Sequence, residues 1–552
     1  MDNKNYINFI TFARGENQLR SLEYMTEATK NQIEVCKKHN FPSTVLLMYD
    51  ALIEPAFSEY IKNEINNGTS ECGLWFEIPV QLCIDAGIVW RGREGYTWDW
   101  HNDVGFLMGY TPEERIILID TAMDKYREIF GTFPEVIGCW HMDAFSLNYI
   151  NEKYNIKGAC MCRDQWGTDG YTLWGGYEPI YYPCKNNMFC PANSQKNQID
   201  IPMLRMLGAD PLYQFDIPYM RDKWKYRSDD NIIGQITLEP TRLTDEKIHH
   251  YSGMNREWCD WFFKTMENSL CLPFSYAQTA QENDFGWDRI SDGFQMQCDL
   301  IEEHQAKGLL KVELMSKTCE RFKSEYKTTP CTTVMVDKDW MSKNRNAFWY
   351  YSPFYRSSVI FDDNCAWIRE LRLFNNDYKE PYLATACRSA SMTYDNLPIV
   401  DGTLWSVNKY KQDSEEVMLE QRGIKFAESD SRAGLYPVIK ENNVWRKSRT
   451  DGIKVSRSDD MAFVKWNLEE KGEITVEYSK SQLSIFLPEN TALQLIHNNV
   501  GDIIAVKENE ISYLHNGFSY SVTLNGAELS ACEDGTILII PKSSCIYIQF
   551  NE

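Results

Sequence analysis

The first 330 residues alternate short β-branched apolar runs with stretches of helical periodicity. This alternation is typical of a parallel sheet or a (β/α) barrel. The predicted strands are Ile7–Ala13, Ser43–Tyr49, Gly73–Ile78, Glu135–Trp140, Lys157–Cys162, Phe274–Gln281 and Leu310–Leu314, with a further apolar run at Ile233–Leu238. We therefore expect a barrel over residues 1–330, and we expect it to be the catalytic domain.

One helix between these strands has both of its ends marked in the sequence. Thr111 is a suitable N-cap, Pro112 occupies the first helical position, and Gly131 can end the helix. The apolar positions follow the helical period: Ile116, Ile119, Met123, Tyr126 and Phe130. The pattern predicts a helix over 112–130.

Two long segments interrupt the alternation, Pro79–Tyr110 and Gln165–Asn231. Both are rich in Trp, Tyr, Gly and Pro. In a (β/α) barrel such segments follow the carboxyl ends of strands, where active sites are built. We therefore expect the functional site beside them.

After about residue 380 the helical period is replaced by short runs of alternating apolar and polar residues between Asn, Asp and Gly turns. The runs are Ile474–Tyr478, Leu483–Phe486, Gly501–Val506, Tyr520–Leu524 and Thr536–Ile540. Such runs are typical of an antiparallel β-sandwich. We predict a β-sandwich domain over 381–552, with 331–380 as a connecting segment.

Composition and charge exclude several classes of protein. There are 57 Lys and Arg against 79 Asp and Glu, for a net charge of −22, so most of the surface would repel a nucleic acid. No apolar stretch reaches the roughly 18 residues that cross a bilayer, and the N-terminus has no leader-like pattern. We expect a cytoplasmic protein that binds neither nucleic acid nor membrane, with most of its 17 cysteines acting as small buried apolar residues.

Acidic side chains follow five of the predicted strands, and His141 and Arg163 lie beside two of them. The acids chosen as candidate catalytic residues are Asp50, Glu77, Asp143, Asp164 and Glu282, with Asp284 close to the last. Buried charges are costly unless they are paired, bind a cation or act on a ligand. Because strand ends around a barrel face one space, we expect these acids to converge.

Paired carboxyl groups beside aromatic rings suit glycoside hydrolysis, in which one acid protonates the leaving oxygen and another acts as nucleophile or base. The favoured working pair is Asp143 and Glu282, with Asp164 next. The residues expected to contact a sugar are Trp75, Trp140, Trp166, Trp174, Tyr177, Arg163 and His101.

Two alternatives remain open. Asp50, His141 and Asp143 could hold a divalent cation that activates water for deacetylation of a sugar. The barrel could also bind carbohydrate without cleaving it. The sequence contains no HExxH motif, no G-x-S-x-G motif and no phosphate-binding Walker A loop that would indicate a different chemistry.

Several stretches between residues 5 and 330 resemble a family of bacterial proteins, common in gut anaerobes, that is defined by a domain of unknown function. They are MYDALIEP, CGLWFEIP, WRGREGYTWDWH, GYTPEERIILID, DQWGTDGYTLWGGYEPIYYP and IPMLRMLGADPLYQFD. That family is grouped by fold with the glycoside hydrolase/deacetylase barrels. The resemblance implies a distorted (β/α)7-type barrel of the glycoside hydrolase/deacetylase kind.

The chain departs from the polysaccharide deacetylases of that superfamily. Their first strand ends in an Asp-Asp pair and a later loop carries His-x-x-x-His. Here the first strand ends in ITFARGE, with Arg14 and Glu16, and no two of the eight histidines stand four apart. The leading hypothesis is therefore a glycoside hydrolase acting on an oligosaccharide or polysaccharide. That reaction requires no cofactor, whereas the deacetylase alternative requires a divalent metal.

Overall fold

The computed structural model describes residues 5–161, 180–205, 238–242, 253–268, 272, 274–338, 344–389, 396–401, 433–469, 471–497 and 502–550. The N-terminal strands are β1 (Asn5–Ala13), β2 (Ser43–Leu47), β3 (Ser70–Trp75), β4 (Val136–Cys139), β5 (Gly158–Met161), β6 (Ile180–Tyr181), β7 (Pro183–Cys184), β8 (Asn187–Pro191), β9 (Met203–Arg205), β10 (Ser275–Thr279) and β11 (Lys311–Val312). The described helices are α1 (Leu22–Lys38), α2 (Tyr49–Ile53), α3 (Pro55–Asn66), α4 (Val80–Ala86), α5 (Pro112–Phe130), α6 (Ala144–Lys153), α7 (Arg256–Asn268), α8 (Trp287–Ala306) and α9 (Met315–Glu325).

The N-terminal strands form one sheet in the order β10-β1-β2-β3-β4-β5-β9-β6, and β11 also pairs with β1. The pairs from β10 through β9 are parallel, and β6 pairs antiparallel with β9. The sheet is curved into a nearly closed barrel. Every residue of β1 is buried, as expected for a strand that is covered on both faces. The predicted parallel barrel-like sheet is confirmed.

The described strands fall within one to three residues of most predicted bounds, and the apolar run at Ile233–Leu238 lies outside the described residues except for Leu238. The predicted helix over 112–130 is confirmed as α5. The Thr111 side chain accepts a hydrogen bond from the Glu114 N–H, and the Glu114 carboxylate accepts one from the Thr111 N–H. Gly131 ends the helix with a φ of 81°, a conformation that favours glycine.

The C-terminal part consists of antiparallel strands. They are β12 (Thr332–Val336), β13 (Asn346–Tyr351), β14 (Tyr355–Asp362), β15 (Cys365–Leu373), β16 (Leu397–Asp401), β17 (Gly434–Glu441), β18 (Val444–Lys447), β19 (Lys454–Ser458), β20 (Met461–Leu468), β21 (Gly472–Ser479), β22 (Gln482–Phe486), β23 (Thr491–Ile496), β24 (Asp502–Val506), β25 (Glu510–His515), β26 (Phe518–Thr523), β27 (Ala527–Ala531), β28 (Ile537–Pro541) and β29 (Cys545–Gln549).

These strands form three antiparallel sheets around one apolar core. The largest has the order β12-β13-β14-β15-β17-β23-β28-β27, with β16 beside β15 and β18 beside β17. The others are β19-β20-β21-β22-β29 and β24-β25-β26. Side chains from all three contribute to the core, among them Phe348, Tyr478 and Tyr513. The predicted antiparallel character of the C-terminal part is confirmed.

The segment 331–380 differs from the connection expected there. It contributes β12, β13, β14 and β15 to the largest antiparallel sheet. Three of its side chains, Val334, Trp349 and Tyr351, also belong to the apolar core of the barrel. Its run FWYYSPFYR therefore forms a layer that packs on both parts of the molecule, and we propose that it belongs with the C-terminal sheets.

Two further observations concern the described part of the chain. No helix there combines the length and the apolar character that crossing a membrane requires. The cysteines there are free thiols and most are buried, as in β4 and β5.

Candidate active site

An arginine lies at the carboxyl ends of four neighbouring barrel strands, β10, β1, β2 and β3. Arg14 directly follows β1, Glu77 follows β3, and Glu282 and Asp284 follow β10. Because β10, β1, β2 and β3 are parallel neighbours, their carboxyl ends share one edge of the sheet. The topology therefore brings together side chains that are as many as 270 positions apart in the sequence.

Arg14 is bound by three carboxylates. Its Nε and Nη2 donate to Glu77 Oε2 and Oε1 at 2.8 and 2.9 Å, which is a bidentate pair. Its Nη1 donates to Asp284 Oδ2 at 2.8 Å and also to Glu282 Oε2. The backbone of Arg14 is fixed as well, since its N–H donates to Asn283 Oδ1 at 3.0 Å. The guanidinium is thus held in one orientation.

The charges of this group stabilise one another. Burial opposes the charge of Arg14, but Glu282, Glu77 and Asp284 outweigh that effect and raise the pKa of Arg14 well above its ordinary value. The Glu77 side chain is fully buried, whereas the side chains of Glu282 and Asp284 are 9% and 23% exposed. The group therefore opens towards solvent on the side of Glu282 and Asp284.

Asp50 completes this group, which we name the Arg14 cluster: Arg14, Asp50, Glu77, Glu282 and Asp284. Asp50 follows β2 in the first turn of α2, and its Oδ1 accepts from the Ala51 N–H at 2.8 Å. Its Oδ2 is buried and has no hydrogen-bond partner among the described residues. A Cβ on Gly15 would lie 3.0 Å from Asp50 Cγ, so a glycine permits this close approach.

The pKa of Asp50 is shifted by its surroundings. Burial is the main cause, and with a smaller contribution from Glu77 it raises the pKa of Asp50 to about 7, against the opposing effects of the Gly15 and Ala51 N–H groups and of Arg14. The Arg14 cluster therefore places a buried carboxyl group with a pKa near neutral pH beside three carboxyl groups that bind an arginine. A carboxyl group that holds a proton near neutral pH is suited to general acid catalysis.

The segment between α4 and α5 covers one side of the Arg14 cluster. The Trp98 ring lies against Arg14, with the guanidinium carbon 4.3 Å from the ring centroid. The next residue, Asp99, has a fully buried side chain that accepts from Arg93 Nε at 2.9 Å and lies 3.1 Å from His101 Nδ1. Burial opposes the ionisation of Asp99, but His101 and Arg93 lower its pKa to about 2. His101, expected to contact a sugar, thus also orients this segment.

Asp143 belongs to a different group, which we name the Arg115 cluster: Arg115, Asp143 and Glu380. Asp143 Oδ1 accepts from Arg115 Nη1 at 2.9 Å, and neither side chain is exposed. Asp143 also caps α6 by accepting from the Ser146 N–H at 2.8 Å. Arg115 donates to the Tyr382 carbonyl at 2.7 Å as well. Asp143 is therefore bound within the protein and is not brought into the Arg14 cluster.

Glu380 joins the Arg115 cluster from the C-terminal part of the chain. Its Oε1 and Oε2 accept from the N–H groups of Ala144 and Met188 at 2.8 and 2.9 Å. Burial, together with the neighbouring Asp143, raises the pKa of Glu380 to about 8. These contacts attach the C-terminal part to the N-terminus of α6.

The two described tryptophans that were expected to contact sugar lie in the barrel core. Trp75 is 1% exposed and stacks on Phe12 with ring centroids 4.2 Å apart. Trp140 is 5% exposed and meets Phe12 edge to face at 5.5 Å. His141 is buried and its ring lies 3.9 Å from that of Phe106. These contacts favour a packing role for the two tryptophans.

Five further expected site residues follow β5 and lie outside the described residues: Arg163, Asp164, Trp166, Trp174 and Tyr177.

The residues offered for a metal were Asp50, His141 and Asp143. Among the described ranges, no group of three or more His, Cys, Asp or Glu side chains is arranged to hold a metal ion. Asp143 is bound by Arg115, and a guanidinium lies at the end of β1, where the resemblance to deacetylases would require an acidic pair. The donor set at this edge therefore does not fit a deacetylase metal.

Sequence reasoning did not select Arg14 or Trp98, and it noted Asp284 without choosing it. Arg14 was visible as a charge directly after an apolar strand, where an unpaired cation would be costly. That signal shows that a partner must exist, but not which acid it is. Only the strand order shows that the partners come from β3 and β10.

Comparisons with known proteins give the fold. No family model and no curated protein matches the sequence. A candidate glycoside hydrolase/deacetylase from Parabacteroides distasonis has a similar structure, with a TM-score of 0.51 and 14% identity over 72% of this chain and 91% of that chain. The chain therefore has the fold of a glycoside hydrolase/deacetylase protein.

Two more distant likenesses were found as well. A candidate polysaccharide deacetylase from Mycobacterium smegmatis gives a TM-score of 0.34 and 10% identity over 59% of this chain and 92% of its own. The α-amylase AmyC from Thermotoga maritima gives 0.33 and 12% over 58% of this chain and 75% of its own. Likenesses at this level carry no argument about the site.

Proposed function

We propose that this protein is a carbohydrate-active hydrolase that cleaves a glycosidic bond with carboxyl groups of the Arg14 cluster. The observation that carries the proposal is that Asp50, whose pKa is about 7, lies beside acids that bind Arg14. Glycoside hydrolysis needs such a pair, because one group must give a proton while another remains charged. The fold shared with a candidate glycoside hydrolase/deacetylase supports the same conclusion.

Asp50 is the general acid in this proposal. Its pKa of about 7 keeps a large fraction of the carboxyl protonated at neutral pH, so that it can give its proton to the leaving glycosidic oxygen. Its Oδ2 is buried and has no hydrogen-bond partner among the described residues, so the proton on this carboxyl is not engaged by another side chain there. After the glycosidic bond breaks, Asp50 is left as a carboxylate.

Glu282 is the second carboxyl group in this proposal. It attacks the anomeric carbon, or it takes a proton from the water that does so. Its side chain is 9% exposed and accepts a hydrogen bond from Arg14 Nη1, which fixes its position. Glu77 is fully buried, binds Arg14 through two hydrogen bonds and is a positioning residue.

This pair differs from that of the sequence analysis in one member. Glu282 is kept, and Asp50 takes the place of Asp143. The contacts of Asp143 with Arg115 and with the N-terminus of α6 occupy its carboxylate inside the protein. Asp164, which was the next choice, stays a prediction.

The proposal is tested by measuring reducing-end release from a panel of α- and β-linked oligosaccharides and polysaccharides. The wild-type chain is compared with Glu282→Gln, Asp50→Asn and Glu16→Gln. Glu16 is the matched control, since it is an exposed glutamate two residues from Arg14. We expect product from the wild type and from the control, and at least about a 10³-fold loss in the two cluster variants. Wild-type turnover that persists in Glu282→Gln would contradict the assignment.

A second candidate function is carbohydrate binding without cleavage. One observation favours it: Arg14 already pairs with three of the four acids of its cluster, and Glu77 is fully enclosed. A cluster that serves only to hold the strand ends together would have this appearance. Two results together would support this alternative: the wild-type protein binds oligosaccharides in calorimetry, and it releases no product from any of them.

A further inference from the structure

A short segment beside the Arg14 cluster exposes three aromatic rings. We name residues 96–100 the aromatic segment; its sequence is YTWDW, with Tyr96, Trp98 and Trp100 at alternate positions. All three rings are half-buried, although large aromatic side chains usually bury most of their surface. Their partial exposure at the edge that carries the acids needs a physical reason.

The three rings form a connected row that ends at the Arg14 cluster. The centroids of Tyr96 and Trp100 are 6.5 Å apart, and those of Trp100 and Trp98 are 6.1 Å apart. Trp98 in turn lies against Arg14 at 4.3 Å. The row therefore leads from the rim of the barrel to the acids proposed to carry out the chemistry.

A buried carboxylate holds the aromatic segment in place. Asp99, between the two tryptophans, is fully buried and binds Arg93, and it also accepts from the His101 N–H at 3.2 Å. A Cβ on Gly105 would lie 1.8 Å from the Asp99 carbonyl oxygen, so the chain passes where only glycine fits. A binding surface that is rigid before the ligand arrives loses little entropy on binding.

The charges along the row are balanced. The Arg93 guanidinium lies between the rings of Tyr96 and Trp100, at 3.9 and 4.1 Å from their centroids. Its charge is matched by Asp99. Each of these two rings therefore has the Arg93 guanidinium on one face and can use only its other face for a ligand, while the neighbouring acids would repel an anionic chain. Such a surface fits the apolar faces of neutral sugar rings.

We propose that Tyr96, Trp100 and Trp98 form a row of subsites for the neutral pyranose units of an oligosaccharide whose scissile bond lies at the Arg14 cluster. This inference rests on the proposed function and deepens it, because it assigns the substrate class as a neutral glycan of several units. It also assigns the stacking role to rings other than those that the sequence analysis selected.

Calorimetric titration of the full chain carrying Glu282→Gln tests the inference, because that variant should bind substrate without consuming it. The probes are cello-, xylo- and manno-oligosaccharides of two to six units. We expect one series to bind more tightly as its length increases. Adding Trp100→Ala should weaken binding of the longest member about tenfold and leave the two-unit member unchanged.

Two variants control the experiment. Trp445→Ala removes a half-buried tryptophan from β18, and it should leave the affinity unchanged at every length. Trp100→Phe keeps an aromatic face and should retain most of the affinity, which separates loss of stacking from damage to the fold. Affinity that is independent of length in every series, or a Trp100→Ala variant that binds long probes normally, would overturn the inference.

The outcomes also separate this inference from the proposed function. Length-dependent binding that Trp100→Ala abolishes, in a protein that cleaves none of the probes in its wild-type form, would support the subsites and remove the hydrolase assignment. Cleavage of short substrates by the wild type, with no effect of Trp100→Ala on the KM for long ones, would support the hydrolase and remove the subsites.

Discussion

The Arg14 cluster and the Arg115 cluster are built from the same residue types at the same edge of the barrel, yet their environments differ. Arg115 and Asp143 are both fully buried. Both also hydrogen-bond to backbone groups, since Arg115 donates to the Tyr382 carbonyl and Asp143 accepts from the Ser146 N–H. Two of the three acids that Arg14 holds have side chains that are 9% and 23% exposed, and Asp50 beside it has a buried oxygen with no partner among the described residues. The comparison teaches that an acid at a strand end is a candidate for chemistry only when its partners leave part of the carboxyl group exposed or without a hydrogen bond.

The largest expected contrast is in activity. Asp50→Asn should reduce turnover on a cleaved glycan by at least about 10³-fold, since the amide has no proton to give to the leaving oxygen. Asp143→Asn should retain turnover per folded molecule, because Asp143 binds Arg115 instead of the Arg14 cluster. The measurement is kcat on the same substrate, corrected for the folded fraction by circular dichroism. Equal losses of turnover in both variants would contradict the different roles given to Asp50 and Asp143.

The next contrast is in stability. Arg115→Met leaves the buried carboxylate of Asp143 without its cation and should lower the free energy of unfolding by about 3 to 5 kcal/mol. Arg127→Met is the control, because Arg127 pairs with Asp124 on the exposed face of α5 and such pairs contribute about 0 to 1 kcal/mol. Urea denaturation of both variants checks the difference. A small effect of Arg115→Met would show that this ion pair contributes little to the packing of the barrel against the C-terminal part.

Asp50→Asn should have the opposite effect on stability. The pKa of Asp50 is about 7 in the folded protein against an ordinary 3.8, so the folded state binds a proton that the unfolded state has lost. Wild-type stability from this group is therefore complete below about pH 4 and is lost as the pH rises through 7. The variant avoids that loss and should be more stable by about 1 to 3 kcal/mol at pH 8, with no difference at pH 4. Thermal unfolding at both values checks the sign.

The smallest expected effect concerns Glu380, whose pKa is about 8 when folded against an ordinary 4.5. The same sign applies: stability from this group is complete below pH 4.5 and is lost as the pH rises through 8. Glu380→Gln should flatten the dependence of the free energy of unfolding on pH. The expected change is about 1 kcal/mol between pH 5 and pH 9. The slope with pH is the informative quantity, because the amide can accept only one of the two backbone hydrogen bonds and the absolute stability changes for that reason as well.

Much of the fold was predictable because it depends on local patterns. The strands of the barrel sheet are runs of apolar residues that must be covered on both faces, and α5 carries its own caps at Thr111 and Gly131. The segment 331–380 was harder, because a strand such as Asn346–Tyr351 is buried along most of its length and shows no alternation. Without a period of two, an aromatic run does not indicate whether it is a strand or a packed loop.

The site was predictable only in part, and for a physical reason. The sequence places Asp50, Glu77, Asp143 and Glu282 after strands, but their partners depend on strand order and side-chain direction. Asp143 and Glu77 look alike in the sequence: each follows a tryptophan in an apolar run, at two positions after Trp75 for Glu77 and three after Trp140 for Asp143. One meets Arg115 from α5 and the other meets Arg14 from β1. No local signal distinguishes the two cases.

The way in which the C-terminal segment covers the barrel bears on how the molecule can be divided. The Arg115 guanidinium donates hydrogen bonds to the carbonyl groups of Tyr382 and Thr385, and the Cys387 N–H donates to the Met108 carbonyl. A fragment that stops at residue 330 would leave that guanidinium facing water and would uncover the apolar surface beneath Trp349 and Tyr351. A fragment truncated in this way should therefore aggregate, and a lack of activity in it would not test the function proposed for the intact chain.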